Sequence, residues 1–89
     1  MIDANTTAKW MLAQLQREGC IYQDDVVDYL TRASATHLLR ENADGNEVLG
    51  SGVLTAFRAL TDKTVVWVKS DFYWRWRVTE DEDGREARG

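Results

Sequence analysis

The alternation of hydrophobic and polar residues changes period along the chain, and each change predicts an element. Over residues 6–18, Ala8, Met11, Leu12 and Leu15 recur at helical spacing, with Lys9, Gln16 and Arg17 opposite and Trp10 at the boundary. Asn5 or Thr6 can cap the start of this helix, and Gly19 stands where a left-handed residue would end it. Cys20, Ile21 and Tyr22 suffice for one brief strand. A second helix is predicted over 24–33, because Asp24 and Asp25 suit a positive N-terminal end, Arg32 suits the last turn, and Val26, Val27 and Leu30 form a stripe.

The stretch 34–50 admits two readings. Ser34 can cap a short helix through Leu39, or 37–40 can be extended and lead into a turn over 42–46; the extended reading is preferred. Asp44-Gly45 marks the turn in either case, since both residues tolerate positive φ. Ser51 is a good cap for a third helix over 52–61, with Val53, Leu54, Phe57 and Leu60 inward and Thr55, Arg58 and Asp62 outward.

The period then shortens to two. Residues 64–78, TVVWVKSDFYWRWRV, hold three of the four tryptophans and read as a hairpin that turns at Ser70 and Asp71. A two-residue loop at 70 and 71 and a four-residue loop over 69–72 give the same register, with Trp67 opposite Trp74. One face then carries Val65, Trp67, Phe72, Trp74 and Trp76, with Lys69 at its rim. The other carries Val66, Val68, Tyr73, Arg75 and Arg77. The aromatic face is the expected core, because an isolated hairpin is at best marginally stable in water and needs helices laid on it. The sequence thus predicts an α+β fold: a small, winged-helix-like domain over 1–79 with three helices packed on a C-terminal β-hairpin. Residues 80–89, apolar only at Ala87, are expected to be an acidic disordered tail.

Composition narrows the functional classes. The net charge of -4 argues against a dedicated nucleic-acid binder, because phosphate neutralisation supplies most non-specific affinity. The distribution moderates that argument: within 58–77, Arg58, Lys63, Lys69, Arg75 and Arg77 face only Asp62 and Asp71, a local +3. The apolar runs are too short to span a bilayer and the N-terminus does not resemble a signal peptide, so a cytoplasmic protein without membrane contact is expected. Cys20 is the only cysteine, which excludes an intramolecular disulfide.

Several short motifs carry a resemblance: WM at Trp10 and Met11, YQ at Tyr22 and Gln23, GN at Gly45 and Asn46, VLTAFRALT over 53–61, VVW over 65–67 and WRWR over 74–77. On these the chain resembles a family of short, uncharacterised bacterial proteins, some carried in the gene cassettes of integrons. It departs from the family pattern between Ala33 and Leu39, where a glycine and aromatics would be expected. The resemblance implies a single domain in a cytoplasmic bacterial setting, and no activity.

Catalytic chemistry finds few candidates. His37 and Cys20, each the only residue of its type, fall on different predicted elements, and zinc would want four Cys or His ligands. The turn over 41–47 imitates a calcium loop through Asn42, Asp44 and Gly45, but Arg40 and Ser51 occupy the places of its first carboxylate and its closing glutamate. The acidic run over 80–83 reads as solvated, or as lying against a basic face of the same protein. No catalytic residue, cofactor site or metal site is therefore assigned, and the chain is not expected to be an enzyme.

The favoured expectation is a non-enzymatic interaction module that binds a protein partner, or itself as a homodimer, through the outer face of the hairpin. Val66, Val68, Tyr73, Arg75 and Arg77, joined by Arg58, are its candidate surface, since Tyr and Arg are enriched at interface hot spots. The alternative is a winged-helix nucleic-acid binder that uses the basic hairpin. The outward residues of the third helix, Thr55, Arg58 and Ala59, are poor in side chains that read base edges. A third reading, a small-molecule pocket under the loop 34–50, has no residue signal of its own.

Overall fold

The computed structural model describes residues 2–79, 81 and 84–87. Helix α1 (Ala4–Glu18) begins earlier than its apolar spacing suggests, because the Asp3 carboxylate accepts the Thr6 N–H at 2.8 Å and caps it. Gly19 ends α1 at φ 83°, donating its N–H to the Leu15 carbonyl at 2.8 Å. Strand β1 (Cys20–Tyr22) passes directly into α2 (Gln23–Arg32). A stacked pair, Trp10 on Tyr29 with centroids 3.9 Å apart, ties α1 to α2 at the surface.

Each reading of 34–50 holds for part of the stretch. Ser34, at φ 57°, leads into a single 3-10 turn (Thr36–Leu38), and the chain is then extended as β2 (Leu39–Glu41). The side chain of Asn42 organises the turn by accepting the backbone N–H groups of Asp44 and Asn46 at 2.9 and 3.0 Å. Gly45 takes φ 80°, and β3 (Glu47–Leu49) returns antiparallel to β2 as a separate two-stranded sheet.

Helix α3 (Ser51–Thr61) buries Val53, Phe57 and Thr61. Leu60, expected inward, is 44% exposed. Thr61 takes the inward place one turn beyond Phe57 and satisfies its hydroxyl by donating to the Phe57 carbonyl at 2.7 Å. Ser51 is the first helical residue and caps nothing with its side chain; Gly50 holds the cap position.

Strands β4 (Val65–Val68) and β5 (Tyr73–Trp76) form the predicted hairpin in the predicted register, Trp67 opposite Trp74, around the four-residue loop. Strand β1 pairs with the far edge of β5, and a short β6 (Glu86–Ala87) pairs in parallel with β4, giving the order β1-β5-β4-β6. Met11, Leu15, Val26, Leu30, Val53 and Phe57 of the three helices close over the inner face of this sheet, on Ile21, Val65 and Trp74. The fold is α+β, with three helices and a C-terminal hairpin as the sequence predicts.

One expectation about this hairpin fails. Phe72 does not join the core: its φ of 56° turns the side chain outward, and it is 56% exposed. The described residues beyond Thr79 lie against the hairpin. Asp81 binds Arg75 with two bonds of 2.8 and 3.0 Å, and the Arg85 carbonyl accepts the Trp67 N–H on the way into β6. The rest of the expected tail, residues 80, 82, 83, 88 and 89, lies outside the described residues.

Candidate functional site

The outer face of the hairpin is not the open surface its sequence suggests. Val66 and Val68 are fully buried, yet neither belongs to the core cluster beneath the helices. Their cover comes from the opposite side. Arg75, the register partner of Val66, lies across this face with its guanidinium held by Asp81 and by the Trp76 carbonyl at 3.0 Å. That guanidinium and the Val78 N–H hold the Asp81 carboxyl down to about 2. Arg77 donates to the Gly84 carbonyl and is engaged further. Of the candidate surface on this face, Tyr73 remains in part, half-buried with its ring 5.0 Å from that of the exposed Tyr22. A tyrosine pair is left where a patch of valine, tyrosine and arginine was expected.

Arg58 lies elsewhere, and the structure brings it to the more distinctive surface. A cleft of about 410 Å³ opens at the loop end of the hairpin, between the inner face of the sheet, α3 and the β2–β3 sheet. Its apolar lining is Leu49, Leu54, Phe57 and Trp74. Half-buried Trp67, 4.5 Å from Trp74 and 6.2 Å from Phe72 between ring centroids, carries the aromatic surface outward to exposed Phe72. Around this lining stand Arg40 from β2, Arg58 from α3, Lys69 from the hairpin loop and Arg85 from the returning chain, with Glu86 as the single acid. The cleft carries a formal +3 in a chain of -4.

Arg85 is the least ordinary member. Its Nη1 donates to the Thr61 and Val65 carbonyls at 2.6 and 3.0 Å, and its Nη2 to the Thr61 hydroxyl at 3.0 Å. The guanidinium carbon sits 5.7 Å from the centre of the Phe57 ring. Among the described residues no carboxylate forms an ion pair with it; burial first, and then the positive charge of Arg58, lower its pKa. Arg58 makes an exposed pair with Asp62, Nε to Oδ1 at 3.2 Å. The two arginines also line a second cleft, of about 430 Å³, together with Lys63, Arg77 and one acid, Asp62. The two hollows meet at Arg58 and Arg85, and cations outnumber acids in each.

The remaining sequence candidates stay apart. His37 is exposed on the 3-10 turn and Cys20 is half-buried on β1. Among the described residues no cluster of three or more His, Cys, Asp or Glu could hold a metal ion. No described helix is long and apolar enough to cross a membrane.

The sequence model of a family of unknown function, DUF6953, matches residues 3–76. The chain belongs to this family. No curated protein and no solved structure matches. The matched stretch includes all three helices and the β4–β5 hairpin, with Arg40, Arg58 and Lys69 of the cleft, and it ends before Arg77 and Arg85. The aromatic lining and three of the cations of the cleft thus lie within the matched stretch, while the half-buried Arg85 lies beyond it.

The composition of this cleft could have drawn attention to it only in part. Lys69 stands at the rim of the aromatic face in the sequence pattern, and Arg58 is outward on its helix. Arg40 and Arg85 lie in stretches whose path the local pattern does not specify, so nothing local brings them to the tryptophans.

Proposed function

We propose that this protein is a non-enzymatic binding module that holds an anionic partner in the aromatic and basic cleft beside α3, rather than on the outer face of the hairpin. The observation that carries the reading is the +3 concentrated around Trp67 and Phe72 in a chain of -4. An apolar hollow with a few convergent charged groups, of a size within the ~300 to 1,000 Å³ of ordinary ligand sites, is the arrangement that binding pockets take. Aromatic rings supply contact area at little entropic cost and cations supply selection by charge. We place it in the bacterial cytoplasm on the likeness of its motifs to the cassette-borne proteins.

A second reading, the winged-helix nucleic-acid binder, draws support from β1 lying beside β5 with β4–β5 as the wing. It is weakened at the wing itself, where Asp81 neutralises Arg75. Self-association through Val66 and Val68 loses its anchors because both are buried.

Backbone amide shifts in nitrogen-15-labelled protein test the proposal, with aromatic carboxylates, nucleotides and short acidic peptides titrated against neutral analogues. Anionic compounds should shift residues of the cleft and lose that effect in Lys69→Glu. Shifts centred on Tyr22 and Tyr73, or none with any anion, would refute it.

A further inference from the structure

The junction between the two clefts suggests what kind of anion the site takes, on the reading that the cleft is a binding site at all. A guanidinium offers five N–H donors in a planar fork. Among the described residues Arg58 uses one of them, on Asp62, and Arg85 uses three, on Thr61 and Val65. The unused donors belong to two neighbouring like charges at the edge of the aromatic hollow. An anion between them would satisfy those donors and offset the mutual repulsion of the two guanidinium groups.

The amount of charge selects among anions. A lone carboxylate brings one negative charge to a cleft of +3, whereas a phosphate monoester brings about 1.5 to 2 at neutral pH and presents three acceptor oxygens. The form of the hollow selects again. Trp67 and Phe72 offer ring surface in the same hollow as the cations, so a planar group linked to the anion suits both halves. Size and the rest of the chain weigh against a long polymer. Outside the cleft the chain carries -7, taking the cleft's +3 from the total of -4, which repels an extended polyanion but hardly affects a compact one seated among cations.

We infer that the cleft binds a nucleoside phosphate, with the base against Trp67 and Phe72 and the phosphate between Arg58 and Arg85. Acidic peptides, aromatic carboxylates and single-stranded nucleic acids are the competing occupants, and the same experiment separates them.

Calorimetric titration of the full chain compares adenosine diphosphate, adenosine, inorganic pyrophosphate, an aromatic carboxylate, an acidic peptide and a single-stranded oligonucleotide. The diphosphate should bind more tightly than adenosine, which lacks the charge-assisted bonds, and than pyrophosphate, which lacks the stacked base, each by ~10-fold or more. Arg58→Ala should weaken the diphosphate by ~10-fold and leave adenosine unchanged, and Phe72→Ala should weaken both. Both substitutions alter exposed side chains, so the fold should persist, and amide spectra check that it does. Equal affinity for adenosine and the diphosphate, or an unchanged diphosphate affinity in Arg58→Ala, would overturn the inference. Cleft binding of the carboxylate, the peptide or the oligonucleotide but not the diphosphate would overturn it and leave the binding module standing. Silence from every anion would defeat both.

Discussion

Single residues decide which of the predicted surfaces survives. Arg75 reads in the sequence as an outward cation on a strand face, open to a partner or to a carboxylate nearby in the chain. In the fold it is covered because Asp81, six residues on, returns to it in a two-bond pair. The consequence for acid stability follows from the direction of the shift. The folded Asp81 carboxyl is depressed to about 2, below the ~3.9 of an unfolded chain, so its contribution is complete above the unfolded value and is lost as pH falls towards 2. A carbon-13 titration of the carboxyl groups should find Asp81 still ionised at pH 3, where ordinary aspartates are mostly protonated. A midpoint near 4 would show that the pair with Arg75 does not form. Asp3, which caps α1, is also lowered, chiefly by the Thr6 N–H, so α1 should lose its cap late in the same acid titration.

At the scale of elements, the local pattern worked where a stripe or an alternation met one neighbour, and failed where two neighbours competed. The first two helices, the brief β1 and the register of the hairpin all follow from periodicity, because burying Trp74 on the core side fixes its whole strand. Leu60 and Thr61 show the limit: a one-residue difference in the inward position of α3 is too small for a helical pattern to resolve. Phe72 shows another, since only the closed loop gives it positive φ.

Gly50 marks a contact between elements that periodicity does not register. Its N–H donates to the Leu38 carbonyl at 2.8 Å, and a Cβ at this position would lie 2.7 Å from the same oxygen. The clash is with backbone, which cannot swing aside. Gly50→Ala should therefore cost ~1 to 3 kcal/mol and shift the β2–β3 sheet that walls the cleft. Chemical denaturation checks the first effect and amide shifts at Arg40 and Val48 the second; an unchanged midpoint would mean that the approach of 38 to 50 is not as close as described.

For the whole molecule, the described part of the chain after β5 makes contacts that the local pattern does not foretell. Arg85 reaches carbonyls at the end of α3 and the start of β4, and β6 covers the edge of β4. A chain ending at Thr79 loses the Asp81 pair, the Arg85 contacts and part of the cover over Val66 and Val68. Full burial of a valine contributes ~1.5 to 3 kcal/mol, and partial uncovering of two should lower stability by ~2 kcal/mol. Thermal melting of the 1–79 chain against the full chain measures this. Identical melting temperatures would restore the view of a dispensable tail.

The sequence by itself determined the fold class, the three helices, the hairpin with Trp67 opposite Trp74, and the turn at Asn42 and Gly45. These depend on spacing and on the preferences of residues near one another. Only the tertiary structure decided that the outer hairpin face is covered and that a basic cleft stands beside α3. Arg40, Arg58, Lys69 and Arg85 come from four separate parts of the chain. A cation signals nothing by its period, and where it ends up depends on the path of loops and of a C-terminal segment held by bonds to Thr61, Val65 and Trp67, residues 18 to 24 positions earlier. Those bonds exist only once the sheet and α3 are already together.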